Sequence, residues 1–260
     1  MPAPPAPDPS APALRAEDVT VRFGGQLVLD RVSLDVPAGT CAALVGESGA
    51  GKTTLLRCFN ALVVPAEGRV LVGVADVRTL DPVALRRRVG YVPQDGGLLP
   101  HWTARRNAGL VPALLGAPRP EADARADAAL ALVALDPATF GPRYPHQLSG
   151  GQRQRVAVAR ALAAGAGLVL MDEPFGALDA ITRADAQAVY ADARADRAAA
   201  GQPVTALLVT HDLREARRLA DQVVVLRAGR VEQAAPFAEL VARPATAYVA
   251  RLLERAALAG

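Results

Sequence analysis

This 260-residue sequence lacks long apolar runs, and it has few cysteines and little net charge; each absence excludes a class of protein. Hydrophobic residues make up 51% of the chain, but no run approaches the roughly 20 apolar residues that a membrane-spanning helix requires. The two cysteines, Cys41 and Cys58, lie in apolar contexts, which indicates reduced core residues in a cytosolic protein rather than a disulfide framework. A formal net charge of +3 is too small to indicate a nucleic-acid partner.

The first residues, MPAPPAPDPSAP, lack the basic start and apolar centre of a secretory signal. Because they are rich in proline and alanine, we predict a disordered tail over residues 1–13. Residues 14–250 are predicted to form one domain, since a chain of this length can bury a full core. Residues 251–260 are predicted to be a C-terminal tail.

Lysine is also scarce: of 29 basic residues, Lys52 is the sole lysine. It lies in Gly46–Thr53, which fits the pattern G-x-x-x-x-G-K-[ST] of a phosphate-binding loop. An apolar run, Cys41–Val45, precedes this segment, and a helical run, Leu55–Leu62, follows it. The glycines allow successive N–H groups to face inward around a phosphate, and the helix directs its positive end at the same anion.

Within this loop, Lys52 is expected to add a mobile ammonium at the outer phosphates, and the Thr53 hydroxyl is expected to bind Mg²⁺. A lysine suits this place because an ammonium on a thin stem enters a phosphate nest, whereas a planar guanidinium does not fit it in the same way. The residues predicted to contact the nucleotide here are Gly46, Glu47, Ser48, Gly49, Ala50, Gly51, Lys52, Thr53 and Thr54.

Strand and helix patterns predict an α/β fold with two additions. Apolar–polar alternation over residues 17–36 around a Gly-Gly turn predicts antiparallel strands before the loop, with Phe23 placed where its ring could stack on a base. From about residue 95 to 164, alanine-rich helical segments replace the strand–helix alternation, which indicates an inserted helical subdomain. The fold class is therefore a P-loop NTPase core with an N-terminal antiparallel β subdomain and an inserted α-helical subdomain.

Polar residues at the ends of predicted strands are candidates for catalysis. Asp172 follows a buried run and is placed to hold Mg²⁺ opposite Thr53, while Glu173 could polarise a water that attacks the γ-phosphate. His211 ends another strand and could donate to the γ-phosphate; alone, it would be read as a structural histidine. Gln94 ends a strand that begins at Gly90.

A second glycine-rich helix start follows the helical segment. Ser149, Gly150 and Gly151 open a helix with small residues and free N–H groups, which predicts a second anion site. One phosphate loop already binds a triphosphate. We therefore expect Ser149 to complete the nucleotide site of a second chain, which gives a two-fold homodimer with two composite sites.

Taken together, these motifs resemble the ATP-binding subunit of ABC transporters over about residues 14–250. GESGAGKT resembles the Walker A motif, LSGGQ the signature motif, LVLMDE the Walker B strand and GALD (residues 176–179) the D-loop. Gln94 matches the Q-loop glutamine, His211 the switch histidine and Phe23 the base-stacking aromatic. The resemblance implies ATP and Mg²⁺ as cofactors.

The resemblance also implies residue roles. The catalytic residues it implies are Glu173, His211 and Gln94; the metal ligands are Thr53, Gln94 and Asp172. Besides the phosphate loop, the nucleotide contacts it implies are Phe23, Ser149, Gly150, Gly151, Gln152 and Asp179. Each nucleotide is then held by the phosphate loop of one chain and the Ser149–Gln152 segment of the other.

Longer stretches resemble the ATPases of osmoprotectant importers for glycine betaine, choline and carnitine. They are LDPVALRRRVGYV, GLLPHWT, RYPHQLSGGQRQRVAVARALAA and MDEPFGALDAITR, although nitrate, sulfonate and taurine importer ATPases share the last one. Asp95 stands where the osmoprotectant group often has a second glutamine, and Arg105–Arg106 replace an Ala-Glu pair beside the groove for the membrane subunit. Both departures bear on the partner and the substrate rather than on ATP chemistry.

The resemblance implies separate permease subunits, a substrate-binding protein and a peripheral location on the cytoplasmic face of the membrane. A nitrate/sulfonate/taurine-type importer ATPase remains the alternative. A soluble ABC ATPase of DNA repair or translation usually has a long coiled-coil insertion or two nucleotide domains, and the sequence indicates neither. A small-molecule kinase would explain Lys52 but would give the LSGGQ motif no role.

Overall fold

The structure, a computed structural model, describes residues 12–176 and 178–258. Its strands and helices in chain order are β1 (Pro12–Phe23), β2 (Gln26–Pro37), β3 (Cys41–Val45), α1 (Lys52–Phe59), β4 (Glu67–Val72), β5 (Ala75–Asp76), α2 (Pro82–Arg88), β6 (Val89–Val92), α3 (Ala104–Ala108), α4 (Leu110–Leu114), α5 (Arg119–Leu132), α6 (Pro137–Phe140), α7 (Gly150–Ala163), β7 (Leu168–Asp172), α8 (Ala180–Ala199), β8 (Thr205–Val209), α9 (Leu213–Leu219), β9 (Gln222–Arg227), β10 (Arg230–Ala235), α10 (Phe237–Ala242) and α11 (Ala247–Leu258). Across these described ranges, no helix combines the length and apolar character needed to span a bilayer.

A six-stranded sheet in the order β10-β9-β3-β8-β7-β6 forms the centre of the fold. Its strands are parallel except β10, which runs antiparallel to β9. Every residue of β3, β7 and β8 is buried, which explains why these strands are uninterrupted apolar runs. Because the three strands are adjacent and parallel, the segments that follow them emerge at the same edge of the sheet.

A second, antiparallel sheet in the order β2-β1-β4-β5 lies beside the central one. Its first hairpin turns at Gly24 and Gly25, both with positive φ, as the alternation over residues 17–36 predicted. Buried side chains from both sheets and from α1 form one core, which includes Leu29, Phe59 and Leu170. The predicted N-terminal β subdomain is confirmed, and it is packed on the P-loop core rather than independent of it.

Helices α3 to α7 occupy the predicted insertion between β6 and β7. They share a single core with the central sheet, because α7 packs against α5 and also against β6 and α8. Val156 of α7, Met171 of β7 and Tyr190 of α8 belong to this core. The inserted helices therefore form a lobe that is joined to the sheet through α7.

Several predicted boundaries are wrong by a few residues. Pro12 and Ala13, assigned to the tail, belong to β1, because Pro12 pairs with Pro37 of β2 and the Ala13 carbonyl accepts from the Gly73 N–H. Residues 1–11 lie outside the described part of the chain. The predicted tail 251–260 is helical as far as Leu258. Strand β6 ends at Val92, so Gln94 lies in the loop that follows. Strand β10 was missed, since its RVEQAA sequence has little apolar content.

Asn107 on α3 fixes the loop that enters the helical lobe. Its side chain is fully buried; Oδ1 accepts from the Leu99 N–H at 2.8 Å, and Nδ2 lies within 3.1 Å of the carbonyls of Leu99, Trp102 and Thr103. Asn107→Ala would leave these backbone groups unsatisfied in a dry site. We expect it to lower the free energy of unfolding by about 2–4 kcal/mol, measured by urea denaturation.

Asn60→Ala is the matched control, because Asn60 is equally buried but its side chain accepts a single hydrogen bond among the described residues, from the Leu62 N–H. The expected loss for Asn60→Ala is smaller, about 1 kcal/mol. Equal losses for the two variants would contradict the role given to Asn107.

Candidate functional site

The loop between β3 and α1 has the backbone geometry of an anion site. Gly46, Gly49 and Gly51 have φ values of 150°, 79° and 98°. A Cβ at Gly46 would lie 2.2 Å from the Leu226 carbonyl oxygen, so only glycine fits there. From Glu47 to Gly51, Ala50 has the one amide that donates to another described residue. The other amides and the first turn of α1 are available to a phosphate.

Lys52 begins α1 and is buried inside this loop. Its Nζ donates to the carbonyl oxygens of Gly46 and Glu47, both at 2.9 Å. The two carbonyls hold the ammonium inside the loop in this structure, and the expected contact of Lys52 with the outer phosphates stays a prediction. Burial lowers the pKa of Lys52, whereas the negative charges of Glu173 and Asp172 favour its protonated form.

Asp172, the last residue of β7, lies beside Thr53 in the first turn of α1. The Thr53 hydroxyl donates to Asp172 Oδ1 at 2.7 Å, and an Arg57 guanidinium nitrogen lies 3.6 Å from Oδ2. Burial raises the pKa of Asp172, and the hydrogen bond from Thr53 and the charge of Arg57 oppose this shift. The hydroxyl and carboxylate oxygens are the ligand types that Mg²⁺ accepts when phosphates and waters complete its shell.

The structure brings together Thr53 and Asp172, two of the three predicted magnesium ligands, whereas the amide nitrogen of the third, Gln94, donates to Glu173. The magnesium site stays a prediction. Within the described ranges, including this position, no group of three or more His, Cys, Asp or Glu side chains could hold a metal ion. Arg57, which reaches Asp172, was not singled out from the sequence. An arginine one turn after the phosphate loop on α1 is the local signal that could have found it.

Glu173 is the point where three predicted catalytic side chains meet. Its Oε2 accepts from Gln94 Nε2 at 3.2 Å and lies 3.5 Å from His211 Nδ1. Its backbone has φ 47°, an uncommon value for a residue other than glycine, and its N–H donates to the Val209 carbonyl of β8. The strained turn directs the carboxylate of Glu173 toward the loops after β6 and β8.

The remaining predicted nucleotide residues lie outside this cluster. Phe23, at the end of β1, is 52% exposed, an unusual state for a large aromatic ring. The Asp179 carboxylate accepts from the Thr182 N–H and caps α8, and these hydrogen bonds lower its pKa. Among the described residues, no hydrogen bond or ion pair joins Phe23 or Asp179 to the phosphate loop.

Ser149 and Gln152 form a reciprocal cap at the start of α7. Ser149 Oγ accepts from the Gln152 N–H, and Gln152 Oε1 accepts from the Ser149 N–H. The prediction of free N–H groups therefore needs correction: in the described ranges, only those of Gly150 and Gly151 in this segment lack a partner. A Cβ at Gly151 would lie 2.4 Å from Thr182 Cγ2, so this segment packs closely on the start of α8.

Comparison with known families identifies the family of this chain. The family model described as ABC transporter matches residues 29–176, more than half of the chain. The chain belongs to the ABC transporter family. The matched range contains the phosphate loop, Gln94, Ser149 and the two carboxylates of Asp172 and Glu173 at the end of β7.

Individual ABC transporter proteins are similar over most of this chain. The glycine betaine/carnitine/choline transport ATP-binding protein OpuCA of Bacillus subtilis (strain 168) is 42% identical over 91% of this chain, which spans 61% of OpuCA. The glycine betaine uptake system ATP-binding protein YehX of Escherichia coli (strain K12) is 41% identical over 92% of this chain and 76% of YehX. The Fe(3+) ions import ATP-binding protein FbpC of Pseudomonas fluorescens is 43% identical over 95% and 68%.

A solved ABC transporter structure has the same fold. The dimeric structure of MJ0796, a bacterial ABC transporter cassette, matches with a TM-score of 0.74 and 31% identity, covering 86% of this chain and 98% of that one. A second dimeric structure of this cassette, in a post-hydrolysis state, contains ADP and Pi. The predicted fold class is confirmed.

Glu215 on α9 was missed by the sequence reasoning, although it is a buried carboxyl group that contacts Thr210. Its Oε2 accepts from the Thr210 hydroxyl at 3.2 Å, and Oε1 has no partner in the described part of the chain. Burial raises the pKa of Glu215 to about 7; the charges of Asp212 and Glu173 add to the shift, and the hydrogen bond from Thr210 and the charge of Arg183 oppose it.

Glu215→Gln should change the pH dependence of stability in a defined direction. The folded state binds the Glu215 proton more tightly than the unfolded state does, so this stabilisation is complete below pH 4.5 and is lost as the pH rises through about 7. The glutamine amide of the variant stays neutral across this range. The free energy of unfolding of the variant minus that of the wild type should therefore increase as the pH rises from 5 to 8, by on the order of 3 kcal/mol in denaturant titrations. A difference that does not vary with pH would contradict this.

Proposed function

We propose that this chain binds ATP with Mg²⁺ and hydrolyses it as the ATPase subunit of an ABC importer. The observation that carries the proposal is the convergence of the Gln94 amide and the His211 ring on one oxygen of Glu173. This cluster lies at the same edge of the central sheet as the phosphate loop, because β3, β8 and β7 are adjacent and parallel.

In the proposed reaction, the backbone N–H groups of the phosphate loop and the Lys52 ammonium bind the phosphates of ATP. Thr53 and Asp172 would hold Mg²⁺, joined by the Gln94 amide oxygen, since the Gln94 amide nitrogen already donates to Glu173. Bound Mg²⁺ would neutralise charge that develops on the β- and γ-phosphates.

Hydrolysis requires a water to be oriented and activated beyond the γ-phosphate. Glu173 would accept a hydrogen bond from this water and take its proton as the bond from the water oxygen to the γ-phosphorus forms. The bond from the γ-phosphorus to the β–γ bridging oxygen breaks in the same reaction, which leaves ADP and phosphate. His211, 60% exposed at its side chain, would donate to a γ-phosphate oxygen. The 3.5 Å separation of Glu173 Oε2 and His211 Nδ1 leaves no room for a phosphoryl group between them, so both side chains would approach the reacting group from the same side.

A second copy of the chain would complete each nucleotide site. Ser149 and Gly150 are exposed at the start of α7, Gln152 is partly exposed, and Gly151 is buried against the start of α8, which the exposed Asp179 caps. The unpaired N–H groups of Gly150 and Gly151 suit a γ-phosphate bound to the other copy. The exposed ring of Phe23 would stack on the adenine. Both MJ0796 structures are dimeric.

The proposed cargo is an osmoprotectant such as glycine betaine, choline or another quaternary amine. OpuCA is named as a glycine betaine/carnitine/choline transport protein and YehX as a glycine betaine uptake protein. Two of the sequence stretches that resemble osmoprotectant importers, GLLPHWT and RYPHQLSGGQRQRVAVARALAA, lie at the two ends of the helical lobe. Permease subunits and a substrate-binding protein are the proposed partners, with the chain on the cytoplasmic face of the membrane. A nitrate/sulfonate/taurine-type importer is the second candidate, because such ATPases share the MDEPFGALDAITR run.

Glu173→Gln tests the hydrolytic site. The amide keeps the size of the side chain but cannot take a proton from water, so we expect turnover to fall by at least about 100-fold, while ATP affinity is retained. Phosphate release measures turnover, and a fluorescent ATP analogue measures binding. The variant should also accumulate as a dimer with Mg-ATP in size-exclusion chromatography, because the bound nucleotide is no longer consumed.

Glu239→Gln on α10 is the control, because it makes the same chemical change at an exposed position distant in sequence from every candidate site residue. It should hydrolyse ATP at the wild-type rate. Wild-type turnover in Glu173→Gln would remove Glu173 from the role proposed here.

Uptake assays test the cargo. In a strain from which the gene has been deleted, reintroducing the wild-type chain should restore uptake of radiolabelled glycine betaine and leave taurine uptake unchanged. Reintroduced Glu173→Gln should restore neither. Restored taurine uptake without betaine uptake would favour the second candidate.

A further inference from the structure

Arg183, in the first turn of α8, makes four polar contacts and has no role in the proposed reaction as described above. Its Nε donates to the Phe175 carbonyl at 3.2 Å, and a terminal nitrogen donates to the carbonyls of Leu178 at 2.8 Å and Gly176 at 3.4 Å. The other terminal nitrogen lies 3.8 Å from Asp212 Oδ2, in an ion pair whose side chains are both 29% exposed.

Together with contacts between neighbouring segments, the contacts of Arg183 form a closed ring of interactions that includes Glu173 and His211, the two residues that would act on the γ-phosphate. On one side, the Gly176 N–H donates to the Glu173 carbonyl, so the segment bound by Arg183 begins at the catalytic carboxylate. On the other side, Asp212 directly follows His211. The ring is completed where His211 Nδ1 lies 3.5 Å from Glu173 Oε2.

The two carboxylate oxygens of Asp212 contact different groups. Oδ1 accepts from the Arg214 N–H and caps α9, and Oδ2 faces Arg183. The position of His211 therefore depends on a residue fixed both to α9 and to α8. A guanidinium can make this connection because its planar fork presents five N–H donors in several directions, which an ammonium does not.

We propose that Arg183 is a positioning residue for ATP hydrolysis, whose guanidinium fixes the segment after Glu173 relative to the segment after His211. It touches neither substrate nor water itself. The inference rests on the proposed function, because it concerns the alignment of that same reaction. Small misalignment of reacting groups lowers turnover strongly while it leaves ground-state binding in place.

Arg197 provides a matched control on the same helix. Its guanidinium also donates to two loop carbonyls, those of Ala166 at 3.2 Å and Gly165 at 3.4 Å. That loop precedes β7 and lies at the opposite end of the strand from Glu173. Arg197→Gln thus removes a comparable set of hydrogen bonds without touching the ring around Glu173 and His211.

The experiment compares steady-state kinetics of the full chain and its variants at saturating Mg-ATP. Arg183→Gln should lower kcat by at least about 10-fold with less than about a threefold change in KM, whereas Arg197→Gln should change kcat by less than about twofold. Arg183→Lys, which retains the charge opposite Asp212 but not the fork, should fall between the wild type and Arg183→Gln.

A non-additive effect separates positioning from general stability. In a His211→Ala background, Arg183→Gln should lower the residual kcat by less than about twofold, because the group that it positions is already absent. If Arg183→Gln does not fold, Asp212→Asn replaces it; this variant keeps a capping oxygen for α9 and should show the same loss of kcat and the same non-additivity.

Equal losses in Arg183→Gln and Arg197→Gln, or a full additive loss in the His211→Ala background, would overturn the inference. Both outcomes presuppose a wild-type chain that hydrolyses ATP. A wild-type chain without ATPase activity would instead overturn the proposed function, so the two failures are distinguishable.

Discussion

The constraint on which the candidate site depends is the side-by-side parallel pairing of β3, β8 and β7. Parallel register places Leu44 beside Val209 and Val209 beside Asp172, so the three chain segments leave the sheet together. The phosphate loop follows the first strand, His211 the second and Glu173 the third. No one of these segments carries a complete site, and a shift in the register of one strand would separate groups that now lie within 3.5 Å.

Charge burial is the second physical feature of this edge. Lys52, Asp172 and Glu215 are each less than 10% exposed, and ionised groups are costly to remove from water unless they are paired. Lys52 is held by two carbonyls, and Asp172 is held by a hydroxyl and a guanidinium, but Glu215 has one free oxygen among the described residues. Lys52 is a buried cation near the carboxylates of Asp172 and Glu173. Such a site is suited to bind an anion, whose charge balances Lys52, together with a divalent cation, whose charge balances the carboxylates.

Local sequence predicted the parts of the site that depend on short segments. The loop glycines, the acidic pair after β7 and the start of α7 each follow from spacing over a few residues, and the parallel sheet follows from strand and helix alternation. Long-range contacts were not predictable in this way: Arg183 meets Asp212, and Gln94 meets Glu173, only because distant strands are neighbours in the sheet. The contacts of Lys52 with the carbonyls of its own loop were not predicted either, since the sequence gives no indication of them.

The surface formed by Ser149, Gly151 and Asp179 explains why one chain is insufficient for the proposed reaction. Gly151 packs on Thr182, and Thr182 is the residue whose N–H Asp179 caps, so the two glycine-containing motifs form one rigid surface within a chain. Their side chains are satisfied by their own helix starts, which leaves backbone N–H groups as the groups free to bind an anion. The phosphate loop lies between β3 and α1 and has its own N–H donors and its own cation, Lys52. In the proposed reaction, a second copy would bring these two donor sets to one triphosphate, and the nucleotide charge would supply the attraction that joins them.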